Sequence, residues 1–364
     1  MSSQSITHRQ LFFLIFQTQI GVGVLSLPYS LFVKAKTDGW ISLMLAGIFI
    51  QFSLLAIWKL CNRFPKSTIF DILPKIMGKP LGFVFNFIYT LHFAFISILI
   101  LALYNQVVGK WILFDTPHWV IIFIMAFTGV YFITSTPREM ARFFTIVTPL
   151  LLILLGLILY AYTDLHLLYI FPVGSVGVSN IIRSSSDAMV SLLGFDVALV
   201  FLAYTSGASN KKLKVLSFAS LSVTLIYLFI VVTTYMYFNP LEIVIVPEPV
   251  LYMLKAFSFT VIERTDLIFL SIWIISVATS FISYLYVASK GLQTLFKLKK
   301  HESAAPFIAL FCFLIAIIPN EKLEILTWNK YISMTSLLFS GIAPIFLLLI
   351  AVIRKKQEKG TASS

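Results

Sequence analysis

Residues 17–28 read QTQIGVGVLSLP, and Gly21 and Gly23 fall in the middle of an apolar segment otherwise long enough to cross a bilayer. An uninterrupted helix needs neither glycine. Each costs about 1 kcal/mol against alanine in a helix interior, so two at mid-membrane predict an unwound turn. Unpaired N–H and C=O groups at that depth cost several kcal/mol each in hydrocarbon. A broken helix is therefore tolerated only where protein, water or ligand satisfies the freed backbone, which is how transporter folds place their substrate.

The composition fits that reading. Of 364 residues, 59% are hydrophobic and 12% charged, with a mean hydropathy of +0.96, too little charge to cover a soluble globular surface. The net charge of +12 is not a nucleic-acid signature, because the basic residues fall in small groups between apolar stretches. The first apolar segment is too long for a signal-peptide core and lacks a cleavage pattern, so it stays in the chain. Cys61 and Cys312 are too few and too far apart for a disulfide framework or metal site, and are expected to pack in helices.

Windows of about 20 apolar residues predict ten spans. They lie near 9–33, 40–62, 80–109, 118–136 and 144–163, then 180–205, 213–238, 266–292, 304–319 and 331–353. Placing both termini in the cytoplasm puts 19 of the 27 basic residues on that side, as the positive-inside rule requires. The starts of segments two to five recur in seven to ten at an offset of about 180 residues, as a duplicated five-helix unit would give. An odd number of spans inverts the second copy. The expected architecture is all-α, a single membrane domain over 1–364 with a 5+5 inverted repeat of about 9–163 and about 180–353 and a cytoplasmic tail at 354–364.

The repeat pairs the first segment with the sixth. Residues 184–204 read SSSDAMVSLLGFDVALVFLAY, with Gly194 and Asp196 near the centre. A carboxylate there costs at least about 2.5 kcal/mol, so Asp196 must face the interior, either capping the outgoing half-helix or supporting the ligand site and its gating. Thr279 and Ser280 in the eighth segment offer hydroxyls to a cation beside the first break, although membrane hydroxyls usually bond their own i−4 carbonyl. His92, alone on an apolar stretch, reads as a packed and hydrogen-bonded histidine more readily than a proton relay. Pro149 and Pro344 are expected to kink the fifth and tenth segments. The run STIFDILPKIM at 67–77 reads as a helix lying on the membrane surface, and PVLYMLKAF at 249–257 as a short external helix that either covers the outer mouth or lies at the interface with no part in gating. No Walker loop, dinucleotide fingerprint, HExxH or GxSxG occurs, so nothing in the motifs supports an enzyme or a cofactor.

An ordered set of motifs carries a resemblance to a known family. GVGVLSLP at 21–28, DGWISLMLAG at 38–47, GKPLG at 78–82, LLGFD at 192–196 and the pattern from Glu263–Arg264 through Trp273 to YLYVASKGL at 284–292 resemble the B subunits of spore germinant receptors. The likeness runs over nearly the whole chain. That family belongs with the amino acid-polyamine-organocation transporters, which share the 5+5 inverted fold with the first and sixth helices broken. The resemblance implies a permease-like receptor subunit in the inner membrane of the spore. It would bind a small germinant, an amino acid or sugar, and act with an A subunit and a lipoprotein C subunit. It implies ligand contacts at Gly21, Val22, Gly23 and Val24 and at Leu193, Gly194 and Phe195. The family often has glutamate where this chain has the shorter Asp196, and the lysine of proton-coupled relatives is missing from residues 144–163. The competing readings are an autonomous amino-acid permease and, last, a structural membrane anchor.

The topology is testable with single cysteines in a variant lacking Cys61 and Cys312. A membrane-impermeant thiol reagent added outside should label positions near 248 and spare position 360. Labelling at 360, or none near 248, would refute the orientation.

Overall fold

A backbone in hydrocarbon must pair its own polar groups, and helices do so without help from neighbours. The computed structural model, which describes residues 5–257, 264–319 and 322–358, is accordingly all-helical among those residues apart from one isolated parallel bridge between Ile6 and Thr205. Thr7 starts the chain's first helix with a capping box, accepting from the Gln10 amide while the Gln10 side chain accepts from Thr7 N–H at 2.9 Å.

The first predicted span holds two half-helices, α1 (His8–Gln19) and α2 (Leu27–Ala35), joined by a single 3₁₀ turn at Val22–Val24. Then come α3 (Gly39–Arg63), α4 (Ile69–Met77), α5 (Lys79–Trp111), α6 (His118–Ile133), α7 (Pro137–Val147) and α8 (Leu150–Leu159). The sixth span is split in the same way as the first, into α9 (Val178–Ser191) and α10 (Ala198–Phe201). The remainder is α11 (Ser209–Tyr237), α12 (Pro249–Ala256), α13 (Thr265–Phe296), α14 (Ala305–Ala316), α15 (Lys322–Ser336) and α16 (Ala343–Ile353). Among the described residues, six helical stretches are long and apolar enough to cross a membrane: Leu27–Arg63, Lys79–Trp111, Pro137–Thr163, Ser209–Tyr237, Thr265–Phe296 and Glu324–Ile353. Two shorter apolar helices, at His118–Ile133 and His301–Ala316, accompany them.

Several expectations need correcting. The fifth segment starts at Pro137 and not at 144, because Thr136 and Glu139 form a capping box that extends it. Its break falls at Pro149, between α7 and α8. The tenth starts at Lys322, and the irregularity ahead of Pro344 is a π-helical turn, Leu337–Ile342. Helix α4 does not lie free on a membrane surface. Ile69, Phe70, Ile72, Leu73 and Ile76 are fully covered by protein, and Asn86 Nδ2 donates to the Phe70 carbonyl at 2.9 Å. Gly82 permits this approach, since a Cβ there would lie 2.4 Å from the Pro74 Cα. Part of the segment expected to be external that ends near Asp266, residues 258–263, lies outside the described residues.

Cross-chain hydrogen bonds sort the connections into two ends. At one end Ile6 pairs with 204–206, Glu358 with Arg63, Lys66, Ser67 and Lys75, and His301 Nε2 with the Ile133 carbonyl. At the other end Lys34 meets Asp187 and Lys110 meets Glu248. There Asp38, fully buried, takes the Gly174 amide at 2.6 Å and the Val176 amide at 3.3 Å, while the Thr37 hydroxyl donates to the Pro172 carbonyl at 2.5 Å. Asp38 thereby fastens the loop between α8 and α9 to the start of α3.

Hydrogen bonds to a charged group contribute about 1.5–3 kcal/mol each. Asp38→Ala should therefore lower the thermal midpoint of the purified protein and speed proteolytic cleavage near 172–176, with Asp38→Asn losing less. Equal protease resistance in wild type and Asp38→Ala would show that the loop is held by other contacts.

Candidate functional site

Helix α1 ends at Gln19 because the next residues leave the helical region: Ile20 has ψ 90° and Gly21 has φ −125°, ψ −150°. The carbonyls and amides freed there all need partners in the apolar interior. Ser280 on α13 donates to the Thr18 carbonyl at 2.9 Å and lies 3.3 Å from that of Ile20. Tyr227 on α11 does two tasks with one hydroxyl, donating to Gln19 O at 3.1 Å and accepting from Gly21 N at 3.4 Å. The Thr18 side chain turns back to the Leu14 carbonyl and meets Ser283 Oγ at 2.7 Å.

The second break faces the first. Gln19 Nε2 donates to the Leu192 carbonyl at 2.8 Å and lies 3.3 Å from Ser220 Oγ, so an amide of one broken span covers the end of α9 in the other. Gly194 has φ +127°, and a Cβ on it would lie 2.6 Å from Gln19 N and from the Thr18 carbonyl carbon. Only glycine satisfies both demands. A Cβ on Gly23 would lie 2.8 Å from the Ser191 Cβ.

Between the breaks is a cavity of about 150 Å³. A space of about this size accommodates a benzene-sized molecule in a protein interior. Gly21, Val22 and Gly23 line it from the first break, Leu193 from the second, and Ser280 and Tyr284 from α13. Helix α5 supplies an apolar wall of Ile96, Leu99, Ile100 and Leu103. Asp187 and Glu248 reach it from one end, each in an ion pair at 2.6 Å, with Lys34 and Lys110 respectively. Gln19 also lines it, and its Oε1 is buried with no hydrogen-bond partner among the described residues.

Of the seven expected ligand residues, the structure brings Gly21, Val22, Gly23 and Leu193 to the cavity wall. Val24, Gly194 and Phe195 stand elsewhere. Val24 borders a small apolar space with Leu151 and Trp273, Gly194 abuts the α1 backbone, and Phe195 is fully buried. Thr279 Oγ1 donates to the Ser276 carbonyl at 2.7 Å, and among the described residues no group of three metal-ligating side chains gathers. Asp196 is fully buried behind the cavity, its Oδ1 accepting from Tyr284 at 2.8 Å and its Oδ2 from Ser340 at 2.5 Å, with the Gly194 amide and its own also bearing on it. Gln19, Asp187, Glu248 and Tyr284 are among the cavity residues that sequence reasoning did not assign to the site. The signal was present for Gln19, an amide inside an apolar span beside the glycines.

A model of the family described as "Spore germination protein" matches residues 5–325. The chain belongs to this spore permease family. Spore germination protein YndE of Bacillus subtilis (strain 168) is 25% identical over 361 residues, covering 98% of this chain and 99% of that protein. GerQB of Bacillus cereus is 28% identical over 324 residues, 88% of each chain, and spore germination protein KB of B. subtilis is 24% identical over 99% of this chain and 98% of its own length. Among solved structures, the transporter MhsT in complex with L-phenylalanine superposes with a TM-score of 0.67 at 15% identity, covering 98% of this chain and 91% of MhsT. The spore permease chain therefore has the LeuT-like fold, with two inverted halves and paired broken helices.

Alanine substitutions rank the breaks. Gly194→Ala meets backbone on a strained φ and should lose several kcal/mol, whereas Gly21→Ala meets only the Ser280 hydroxyl at 3.1 Å and should lose about 1 kcal/mol or less. Thermal unfolding of the two proteins in the same detergent measures the order. Equal midpoints would mean the two breaks do not press together.

Proposed function

We propose that this chain is the germinant-sensing, permease-like B subunit of a spore germinant receptor, a ten-span protein of the spore inner membrane with both termini cytoplasmic. It binds a small nutrient, an amino acid or a sugar, between the two broken helices and signals to an A subunit and a lipoprotein C subunit. The observation that carries this reading is the cavity at the facing breaks, walled by Gly21, Gly23 and Leu193 and holding one unpaired buried acceptor, Gln19 Oε1. A buried acceptor without a partner costs about 1–3 kcal/mol, a cost that a ligand N–H or O–H removes. The apolar wall from α5 suits a short side chain, and the outer carboxylates of Asp187 and Glu248 suit an ammonium group.

Binding shifts a two-state equilibrium by no more than the ligand's differential affinity for the two states. The first and sixth spans form the moving element in this reading, because they share a contact of bare backbone at Gly194 that transmits displacement of either one. The fold shared with MhsT supports a second reading, an autonomous permease. Transport requires the occupied site to open to the opposite face as well, so liposomes separate the two.

Two measurements test the proposal. Gln19→Leu should move the germinant dose-response of spores at least tenfold higher at normal protein level, the equivalent of about 1.4 kcal/mol. Purified wild type should bind the germinant saturably, take up little label into liposomes, and depend on the A and C subunits for spore response. Robust uptake by this chain alone, with spore response unaffected by loss of the partners, would replace the receptor with the permease.

A further inference from the structure

We infer that Asp196, Ser340 and His92 form a buried proton-binding site, a three-residue array in which one hydroxyl couples a carboxyl to an imidazole. The array begins behind the ligand cavity. Tyr284 lines that cavity and donates its hydroxyl to Asp196 Oδ1 at 2.8 Å. Ser340 Oγ bonds Asp196 Oδ2 at 2.5 Å on one side and lies 3.2 Å from His92 Nε2 on the other. His92 in turn lines a second cavity, of about 390 Å³, bounded by α5 and α15. The chain Tyr284, Asp196, Ser340, His92 thus runs without a gap from one cavity to the other.

The geometry is set by the backbone. Ser340 sits on the π-helical turn Leu337–Ile342, where the Ala343 amide pairs with the Leu338 carbonyl and Pro344 has no N–H to offer the Phe339 carbonyl, which Tyr89 pairs at 3.1 Å; on this turn Ser340 lies between Asp196 and His92. π-Turns of this kind are frequent at functional sites.

Charge is what makes the array a proton site. Asp196 is fully buried, and among the described residues it makes no ion pair. The titratable groups facing it are Tyr89 and His92 from α5 and Tyr284 from α13. His92 is the one member of that set able to carry a positive charge. An isolated carboxylate in this position is costly, and the alternatives are a neutral carboxyl or an imidazolium one hydroxyl away.

Both protonation patterns fit the same heavy atoms. With Asp196 ionised, Ser340 gives its single proton to Oδ2, so its oxygen can only accept, and His92 Nε2 carries a proton. With Asp196 protonated, the carboxyl donates to Ser340, whose own proton points to an unprotonated His92 Nε2. A proton delivered to His92 Nδ1 converts the first pattern into the second. Nε2 passes its proton to Ser340, Ser340 passes its own to Asp196, and imidazole and serine end neutral. Asp196 lies two residues past Gly194, so any ligand that displaces the second break alters this bridge. Proton affinity and ligand affinity must then change together. That consequence rests on the ligand reading; the proton site does not, and its test uses protons alone.

The test is infrared difference spectroscopy over a pH titration of the chain in lipid nanodiscs with isotope-labelled aspartate. Wild type should show an aspartic-acid C=O band that titrates in step with an imidazole signal, and Asp196→Asn should abolish it. His92→Gln and Ser340→Ala leave Asp196 in place and should each move the band's midpoint by about one pH unit or more. These two variants decide the matter even if Asp196→Asn fails to fold. An unchanged midpoint in both, or a wild-type spectrum with no band that depends on Asp196, would overturn the proposal.

Discussion

The hydroxyl of Ser280 donating into the carbonyls of the first break is the interaction on which the rest depends. Without it and the two-way bond of Tyr227, the freed groups of residues 18–21 would sit unpaired in hydrocarbon at several kcal/mol each, and the span would have to close into a continuous helix. A continuous helix leaves no cavity. The polar residues of α11 and α13 are therefore part of the first break although they lie more than two hundred residues away in sequence.

The second constraint is steric. Gly194 brings the backbone of one half of the molecule against the backbone of the other at Thr18 and Gln19, closer than any side chain permits. Packed interiors transmit such contacts because they have few discrete arrangements and little compressibility. Gln19 adds a directional bond across the same junction, to Leu192. The two breaks behave as one mechanical unit, and the cavity lies against it.

The end of the cavity at Asp187 and Glu248 is held differently. Lys34–Asp187 and Lys110–Glu248 are short pairs, but both lysines are nearly half exposed, and ion pairs of that kind contribute about 0–1 kcal/mol. The opposite end is tied by backbone pairing of Ile6 with residues 204–206 and by the Glu358 cluster on Arg63, Lys66, Ser67 and Lys75, which includes a further part-exposed ion pair.

Much of this was legible in the chain because it follows from periodicity and from chemically costly residues. Long apolar windows, two glycine-bearing interruptions and a carboxylate at mid-span point to an inverted repeat with paired breaks, and each feature is local. What stayed out of reach depends on contacts between distant segments. The apolar stripe of α4 reads equally as a membrane face or a protein face, and only the close approach at Gly82 assigns it to protein. Val24, Gly194 and Phe195 share the breaks with the cavity residues, but which side of an irregular turn faces the cavity is set by neighbouring helices, because an unwound backbone has no fixed period. Ser340 and His92 are ordinary polar residues in sequence. Tertiary structure alone gives them roles, since a hydrogen bond across 144 or 248 residues has no signature in the segments it joins.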